Sequence, residues 1–527
     1  MPTRNDSAVS ERHSDTRIVL VNPPVLAVFE PWYDTPDFGR TALACLAAYL
    51  RLHGYPNIKI VDAKFDRLSF EECLRDILAF EPDLVGYTAF TNEIKPAAYV
   101  AARLKRLKPG ILNIIGGVHV TAIPLKTMQE FPMFDIGVIG EGEATLLEVV
   151  EQYAAKQPVL NIPGTIYHDL DDQLQQGPAR ERIMDQDSLP IPAWDLMKPA
   201  NTYFVQTLRG CPFNCLFCMN PSGRIARKRS IGLVMEELRG IVDNYHPERI
   251  SFGDELFSVD VARTHALLDA LIESGLGARV KWDVQTHVRY VDAGMFRKFK
   301  LANVDRVEMG IETGDEQSLK KMGKGTNLQM IEDAYQAARR EGVKIGTFFI
   351  LGQPDETTAT IMKTIGLAVR INPELPMFGL MTPYPGTAIA EMAAKGEGGY
   401  KLLSTDWDEY NKQIGGALAL QNISRRKLEF YQSLAYLMVY LRNRRFRDLF
   451  RFLLTYRVGI YKFVRKVFSG KQNLMHAVKK PGDYDRLLST GTSVDQADMI
   501  ESYRAWSKYQ KDSMVSLRHA TAAESDI

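Results

Sequence analysis

Cysteine is scarce in this chain and long apolar runs are absent. Five cysteines in 527 residues, an odd number, cannot build a disulfide framework. No run of about 18 apolar residues occurs, which excludes a simple membrane-spanning helix. Residues 1–16 are polar and charged and lack the apolar core of a signal peptide. These absences predict a cytoplasmic protein. Excess charge is missing as well. The net charge of +1 leaves no global field that would point to nucleic acid. No G-x-G-x-x-G follows the first apolar strand, which argues against a dinucleotide.

What cysteine there is lies mostly in one place. Arg209-Gly-Cys-Pro-Phe-Asn-Cys-Leu-Phe-Cys-Met219 holds Cys211, Cys215 and Cys218 in a C-x3-C-x2-C spacing, just after a strand-like Tyr203–Leu208. Thiolates are the usual protein ligands of iron–sulfur clusters, and a compact loop can aim three of them at one cube. Three ligands on four irons would leave one iron open to a substrate or cofactor. A zinc site usually takes four ligands, and no fourth Cys or His is near. A disulfide fits the spacing poorly. Spacing alone leaves these alternatives open.

The 45% apolar content is ample for packed cores, and the length predicts about three domains. Over residues 17–150, short apolar strands at 17–24, 58–62, 84–88, 112–117 and 136–140 alternate with helices at 41–53, 70–80 and 97–107. Such alternation predicts a doubly wound parallel sheet of flavodoxin-like type. Ligands of these sheets sit beyond the carboxyl ends of the strands. Asn22, Thr88, Gly116-Gly117-Val-His119 and Gly140-Glu141-Gly142-Glu143 fall there. The plainer alternative is a set of tight turns in a domain without ligand. Residues 151–200, with Pro163-Gly164 and a Pro-rich Asp185–Trp194, read as a linker. Residues 201–395 continue as six βα units, which predicts an open (βα)6 partial TIM barrel with its chemistry at the C-terminal strand ends. Those ends carry Gly253-Asp254-Glu255, Glu312 and Gly352-Gln-Pro354. The acids there could equally be loop charges or helix caps.

Residues 396–510 read as mainly helical, with disordered tails at 1–16 and 511–527. The stretch 442–466 has nine Lys or Arg and one acid among many aromatics. Either it is a helix packed over the open side of the barrel, or it touches anionic lipid.

The cysteine spacing, with Arg209-Gly210 before the first thiol and Phe217 before the third, resembles the radical S-adenosylmethionine superfamily over roughly residues 200–395. The resemblance implies that Cys211, Cys215 and Cys218 hold a [4Fe-4S] cluster whose open iron chelates S-adenosylmethionine. It also implies that Gly253, Asp254 and Glu255 hold the amino group of S-adenosylmethionine. Glu312 would bond the ribose, and Gly352 and Pro354 would line the adenine. Gly116-Gly-Val-His-Val-Thr121 and Gly140-Glu-Gly-Glu-Ala-Thr145 resemble the two hallmark loops of the cobalamin-binding domain that precedes many such barrels. Cobalamin is therefore expected against Asn22, Thr88, Gly116, Gly117, His119, Gly140, Glu141, Gly142 and Glu143. None of the nine histidines sits in Asp-x-His-x-x-Gly, so the resemblance implies no protein histidine below the cobalt. His119 touches the corrin edge or caps a turn.

Pro383-Tyr384-Pro-Gly-Thr387 is common in the cobalamin-dependent branch. Tyr384 faces substrate or cobalamin, or braces its loop. Only Cys45 and Cys73 lie in the first domain, too few for the second cluster of the methylthiotransferases. The expectation is a cobalamin-dependent radical S-adenosylmethionine enzyme, foremost a methyltransferase acting on an unactivated carbon of a small-molecule or lipid-like substrate. Its electron donor would be a flavodoxin or ferredoxin, and residues 442–466 could bring it to the inner face of a membrane. The alternatives are a radical oxidative cyclase or ring-rearranging enzyme, and a corrinoid carrier or sensor.

Overall fold

The computed structural model of the protein describes residues 15–24, 36–169, 171–413 and 415–455. Of the tails expected at 1–16 and 511–527, residues 1–14 and 511–527 lie outside the described residues, as do the basic residues 456–466, while Thr16 is described and buried.

Five strands open the chain: β1 (Ile18–Asn22), β2 (Ile58–Asp62), β3 (Leu84–Thr88), β4 (Leu112–Gly116) and β5 (Ile136–Val138). They pair in parallel in the order β2-β1-β3-β4-β5. β1 is buried along its whole length, which is why it reads as an unbroken apolar run. Helices α1 (Thr41–Leu52), α2 (Phe70–Leu78), α3 (Ile94–Leu107), α4 (Val118–Ala122), α5 (Pro124–Glu130) and α6 (Glu143–Ala154) complete the domain. Strand order reverses between β1 and β3, so a crevice opens beyond their carboxyl ends.

The segment expected as a linker does more than connect. β6 (Thr165–His168) and β7 (Leu174–Gln176) extend the first sheet antiparallel from β5. Ile166 and Tyr167 are both buried, so the hairpin gives up its alternation to pack against the sheet edge. A strand of four residues without alternation leaves little to read in sequence.

The second sheet is wholly parallel, in the order β15-β14-β13-β12-β11-β8. Its strands are β8 (Thr202–Val205), β11 (Arg249–Phe252), β12 (Lys281–Thr286), β13 (Val304–Glu312), β14 (Ile345–Leu351) and β15 (Leu375–Leu380). Between β8 and β11, β9 (Leu208–Arg209) and β10 (Arg227–Lys228) make a separate antiparallel ribbon. Crossover helices α7 (Ile231–Tyr245), α8 (Val261–Glu273), α9 (Ala293–Leu301), α10 (Glu316–Lys321), α11 (Leu328–Arg340) and α12 (Thr358–Ile371) return each strand to the next. Most start on a side-chain cap, for example Ser230, Asp260, Asp292 and Asn327. Among the described residues β8 and β15 do not pair, so the barrel is the open six-unit form expected.

An open barrel leaves an edge strand with unpaired backbone groups. The C-terminal region supplies partners. After α13 (Ala388–Lys395) and the ribbon β16 (Tyr400–Leu402) and β17 (Leu418–Leu420), helix α14 (Arg425–Arg442) packs on α12 and β15. Phe378 N donates to Tyr436 Oη at 3.1 Å, and Gln432 Nε2 donates to Phe378 O at 2.7 Å. This helix covers the free edge of β15, whereas the stretch 442–466, expected either to cover the barrel or to touch lipid, is described only as far as residue 455. The following α15 (Phe446–Thr455) stacks Phe452 on Tyr436 at 4.6 Å. Among the described residues no helix is long and apolar enough to cross a membrane.

Candidate active site

The cysteine loop, residues 210–226, springs from the β9–β10 ribbon, where Arg209 and Arg227 stand opposite each other. Gly210 has φ +98°, and a Cβ there would run into the Ile225 carbonyl oxygen, so only glycine turns this corner. Backbone bonds shape the loop: Cys211 N donates to Gly223 O at 3.0 Å and Cys218 N to Cys215 O at 3.0 Å. Asn220 Nδ2 donates to Cys211 O at 2.7 Å. Leu216 N donates to Met322 O, and Leu216 O accepts from Ile389 N, which anchors the loop to both sides of the barrel mouth.

All three thiols are free, and Cys218 is exposed. Burial pushes the Cys215 thiol up to about 11, against the pull of the Lys324 ammonium. Among the described residues no three Cys, His, Asp or Glu converge as on a single ion. That is compatible with an iron–sulfur cube, whose cysteines bind separate irons and so stand further apart.

The other strand ends complete the mouth. Gly253 follows β11, where a Cβ would collide with the Phe204 ring. Asp254 is buried and spends its carboxylate on the chain: it accepts from Thr207 N and Oγ1, both at 2.6 Å, and from Leu208 N at 3.0 Å. Burial raises it to about 6, against those hydrogen bonds. Its place is thus to hold the turn from β8 into the ribbon. Glu255 accepts from Gly210 N at 3.2 Å, at the root of the cysteine loop. Glu312 ends β13 in the left-handed region, φ +71°. Its carboxylate pairs with Lys324, whose Nζ also donates to Gly310 O at 2.6 Å. Near by, neutral His287 donates Nε2–H to Lys324 O at 3.1 Å and stacks on Phe213 of the cysteine loop at 4.6 Å. Burial, then Lys324, depress it to about 3. Gly352 and Gln353 donate to the buried Glu356 carboxylate, which burial raises to about 7. That bond shapes the turn leading to Pro354.

At the first sheet, Asn22, Thr88, Gly116 and Gly117 gather at the carboxyl ends of β1, β3 and β4, as expected. Asn22 is occupied, donating to Asp62 at 2.6 Å and accepting from Arg40 at 3.2 Å. Arg40 and Lys64 in turn hold the buried Glu93. Gly117, φ +101°, lies against the Ala89 backbone, whereas Gly140, φ +82°, has open space around it. That crowded turn beside an open one is a cradle into which a flat ligand can press. His119 caps no turn with its side chain. It is fully buried, with Nδ1 3.3 Å from Thr91 Oγ1 and its ring edge-on to Trp407 at 4.9 Å. Burial, then Lys126, lower it to about 4, and Nε2 has no partner among the described residues. Trp407 belongs to the C-terminal region, so its contact with His119 is not legible locally. Tyr384 likewise packs on the first domain's core, which favours the bracing alternative.

Glu141 and Glu143 turn toward the barrel. Glu143 pairs with Arg209 at 2.6 Å, and Glu141 with Arg227 at 2.5 Å. Arg227, Lys324, Arg40 and Glu93 carry no motif signal; only Arg209 stood inside one.

Comparison with known proteins agrees with this geometry. Residues 205–368 match the radical SAM superfamily and residues 28–150 the B12 binding domain. The chain is 31% identical, over 81% of its length and 93% of the relative's, to an uncharacterized methyltransferase of Pyrococcus horikoshii. It is 28% identical, over 70% of its length and 68% of the relative's, to an anaerobic magnesium-protoporphyrin IX monomethyl ester cyclase of Rubrivivax gelatinosus. Among solved structures, the cobalamin-dependent S-adenosylmethionine radical enzyme OxsB superposes with a TM-score of 0.67 at 16% identity, covering 95% of this chain and 85% of that one. The radical methyltransferase TsrM of Kitasatospora setae gives 0.64 at 18%, covering 81% and 89%. A three-thiol loop at the mouth of an open barrel, packed against a doubly wound cobalamin-type sheet, places this chain in the family of cobalamin-binding radical S-adenosylmethionine enzymes.

Proposed function

We propose that the chain is a methyltransferase acting on an unactivated carbon of a small-molecule or lipid-like substrate. The observation that carries this reading is the meeting of two loops. The stem of the cysteine loop docks, through Arg209 and Arg227, on the Gly140–Glu143 loop at the crevice end of the first sheet. Bound at these places, a [4Fe-4S] cluster with S-adenosylmethionine supplies hydrogen abstraction, and cobalamin supplies methyl transfer. Cys211, Cys215 and Cys218 would ligate the cluster. Gly253, Glu255, Glu312 and the Gly352–Pro354 turn would hold S-adenosylmethionine, with Asp254 fixing the backbone beside it and Lys324 steering Glu312. Asn22, Thr88, Gly116, Gly117, Gly140 and Gly142 would cradle the corrin. Gly386, set against Met219 and Ala122, and Tyr384 close the seam between the domains, which excludes water from a radical. An external one-electron donor of the flavodoxin or ferredoxin kind would reduce the cluster.

Reduced holoprotein given S-adenosylmethionine is expected to release S-adenosylhomocysteine, from loading of the corrinoid, as well as 5′-deoxyadenosine. Release of 5′-deoxyadenosine alone would reject methyl transfer. It would favour the second reading, an oxidative cyclisation, for which relatives named as cyclases speak.

A lipid-like substrate fits the C-terminal surface. Phe446, Phe450, Leu453 and Leu454 recur at helical spacing and are exposed, beside exposed Arg442, Arg444, Arg447 and Arg451. Such a face suits an anionic membrane surface. Co-sedimentation with phosphatidylglycerol vesicles, absent with phosphatidylcholine, is expected; binding to neither would remove the membrane from the proposal.

A further inference from the structure

The two glutamates of the Gly140–Glu143 loop were expected to face cobalamin, and their carboxylates are spent elsewhere. Glu141 grips Arg227 with both oxygens, at 2.5 and 2.9 Å. Glu143 holds Arg209 at 2.6 Å, and Arg209 also approaches Glu141 at 3.8 Å. These side chains are shielded from solvent, with 1% exposure at Arg227, 6% at Glu143, 12% at Glu141 and 14% at Arg209. Two positive and two negative groups make the cluster neutral. Burial pushes the Glu141 carboxyl up, but the bonds from Arg227 and the charge of Arg209 outweigh it and hold it low.

The two arginines are register partners across the β9–β10 ribbon. All three cysteines lie in the loop that this ribbon closes. Arg227 also donates to Ser222 O, inside that loop, at 2.9 Å and to Ile183 O, in the interdomain segment, at 2.7 Å. Ile183 N returns a bond to Glu141 at 3.1 Å. On the other side, Gly140 N donates to Thr121 Oγ1 at 3.0 Å, which ties the glutamate loop to helix α4 beside Gly117. An unbroken chain of short polar contacts thus runs from the crevice of the first sheet to the root of the cysteine loop. An apolar interface would hold two domains together at least as well as buried ion pairs. Bidentate Arg–carboxylate pairs add what an apolar surface lacks, a fixed distance and a fixed orientation.

We infer that Glu141 and Glu143 are positioning residues: with Arg227 and Arg209 they lock the first domain onto the stem of the cysteine loop and set the separation between a corrin on one and a cluster on the other. The inference rests on the functional reading above. Misplacement of reacting groups by about 1 Å costs on the order of 10²-fold in rate, so a loosened lock should let 5′-deoxyadenosine form without coupled product.

The test uses holoprotein loaded with cluster and cobalamin, in the wild type, in the Glu141→Gln/Glu143→Gln variant and in the single Glu143→Gln variant. Pulsed EPR of the cob(II)alamin–reduced cluster pair reads the separation directly, without turnover. The double glutamine variant is expected to keep iron and cobalamin at wild-type content but to show a broadened distance distribution. The Glu143→Gln variant, which loses only the pair to Arg209, is expected to broaden it less. A wild-type distribution in the double glutamine variant would overturn the lock. Should that variant not fold, a folded and fully loaded Glu143→Gln protein with a wild-type distribution would overturn it equally. A wild-type protein that binds iron but no cobalamin would instead overturn the functional reading on which the lock depends.

Discussion

The Cys215→Ala protein is expected to fold, to bind no four-iron cluster and to release no 5′-deoxyadenosine from S-adenosylmethionine. The loop that carries Cys215 is held by backbone and amide bonds that do not involve its sulfur: Cys211 N to Gly223 O, Cys218 N to Cys215 O, and Asn220 to the Cys211 carbonyl. Alanine leaves each of them in place. The stem of the loop is fixed separately, by Arg209 and Arg227 on Glu143 and Glu141. Stability should therefore change by no more than about 1 kcal/mol, as for a partly exposed side chain outside a packed core. Activity should be lost entirely, because alanine has no ligand atom and the loop carries only the three thiols of Cys211, Cys215 and Cys218. Iron analysis after anaerobic reconstitution, paired with a thermal melt, checks both halves. Full iron content in this variant, with cleavage intact, would remove the cluster from these cysteines.

Gly117→Ala is expected to destabilise the first domain by about 2–5 kcal/mol and to cost it cobalamin while leaving the iron. Two penalties add. An L-residue at φ +101° pays about 1–2 kcal/mol. The new Cβ would also stand 2.8 Å from Ala89 O, 2.9 Å from Ala89 N and 3.0 Å from Thr88 Oγ1, an overlap worth about 1–3 kcal/mol. The end of β3 and the turn after β4 must part, and that turn is one wall of the crevice. Gly140→Ala is the internal control. Its φ is +82° but no atom lies within 4 Å of the added carbon, so only the conformational penalty of about 1–2 kcal/mol applies. If both variants melt alike, the crowding at Gly117 is not what holds the crevice in shape.

The local part of this molecule was legible in the chain. Each parallel strand of the two sheets is a short apolar segment, most are followed by an amphipathic helix, and most barrel helices also carry a side-chain cap; period and cap are properties of neighbouring residues. The three cysteines are equally local, since a loop can gather ligands only if they lie close in sequence. The carboxyl ends of β1, β3 and β4 followed once the sheet was known, because side-chain position along a strand follows from strand order.

Pairings between distant charges were not legible. Glu143 finds Arg209 66 residues away and Glu141 finds Arg227 86 residues away, and nothing near either glutamate distinguishes a partner on the barrel from a ligand in the crevice. The same holds for Asp254, which reads as a free carboxylate until Thr207 and Leu208 fold onto it. It holds for His119, covered by Trp407 from the far end of the chain. A charged or polar side chain shows its chemistry in the sequence, but its role depends on what shares its burial. The sequence by itself determined the two sheets, their order along the chain and the three-thiol loop, because each is set by neighbouring residues. Only the tertiary structure decided which polar groups hold the fold and which remain at the mouth, because burial and pairing are settled by segments that meet only when the domains pack.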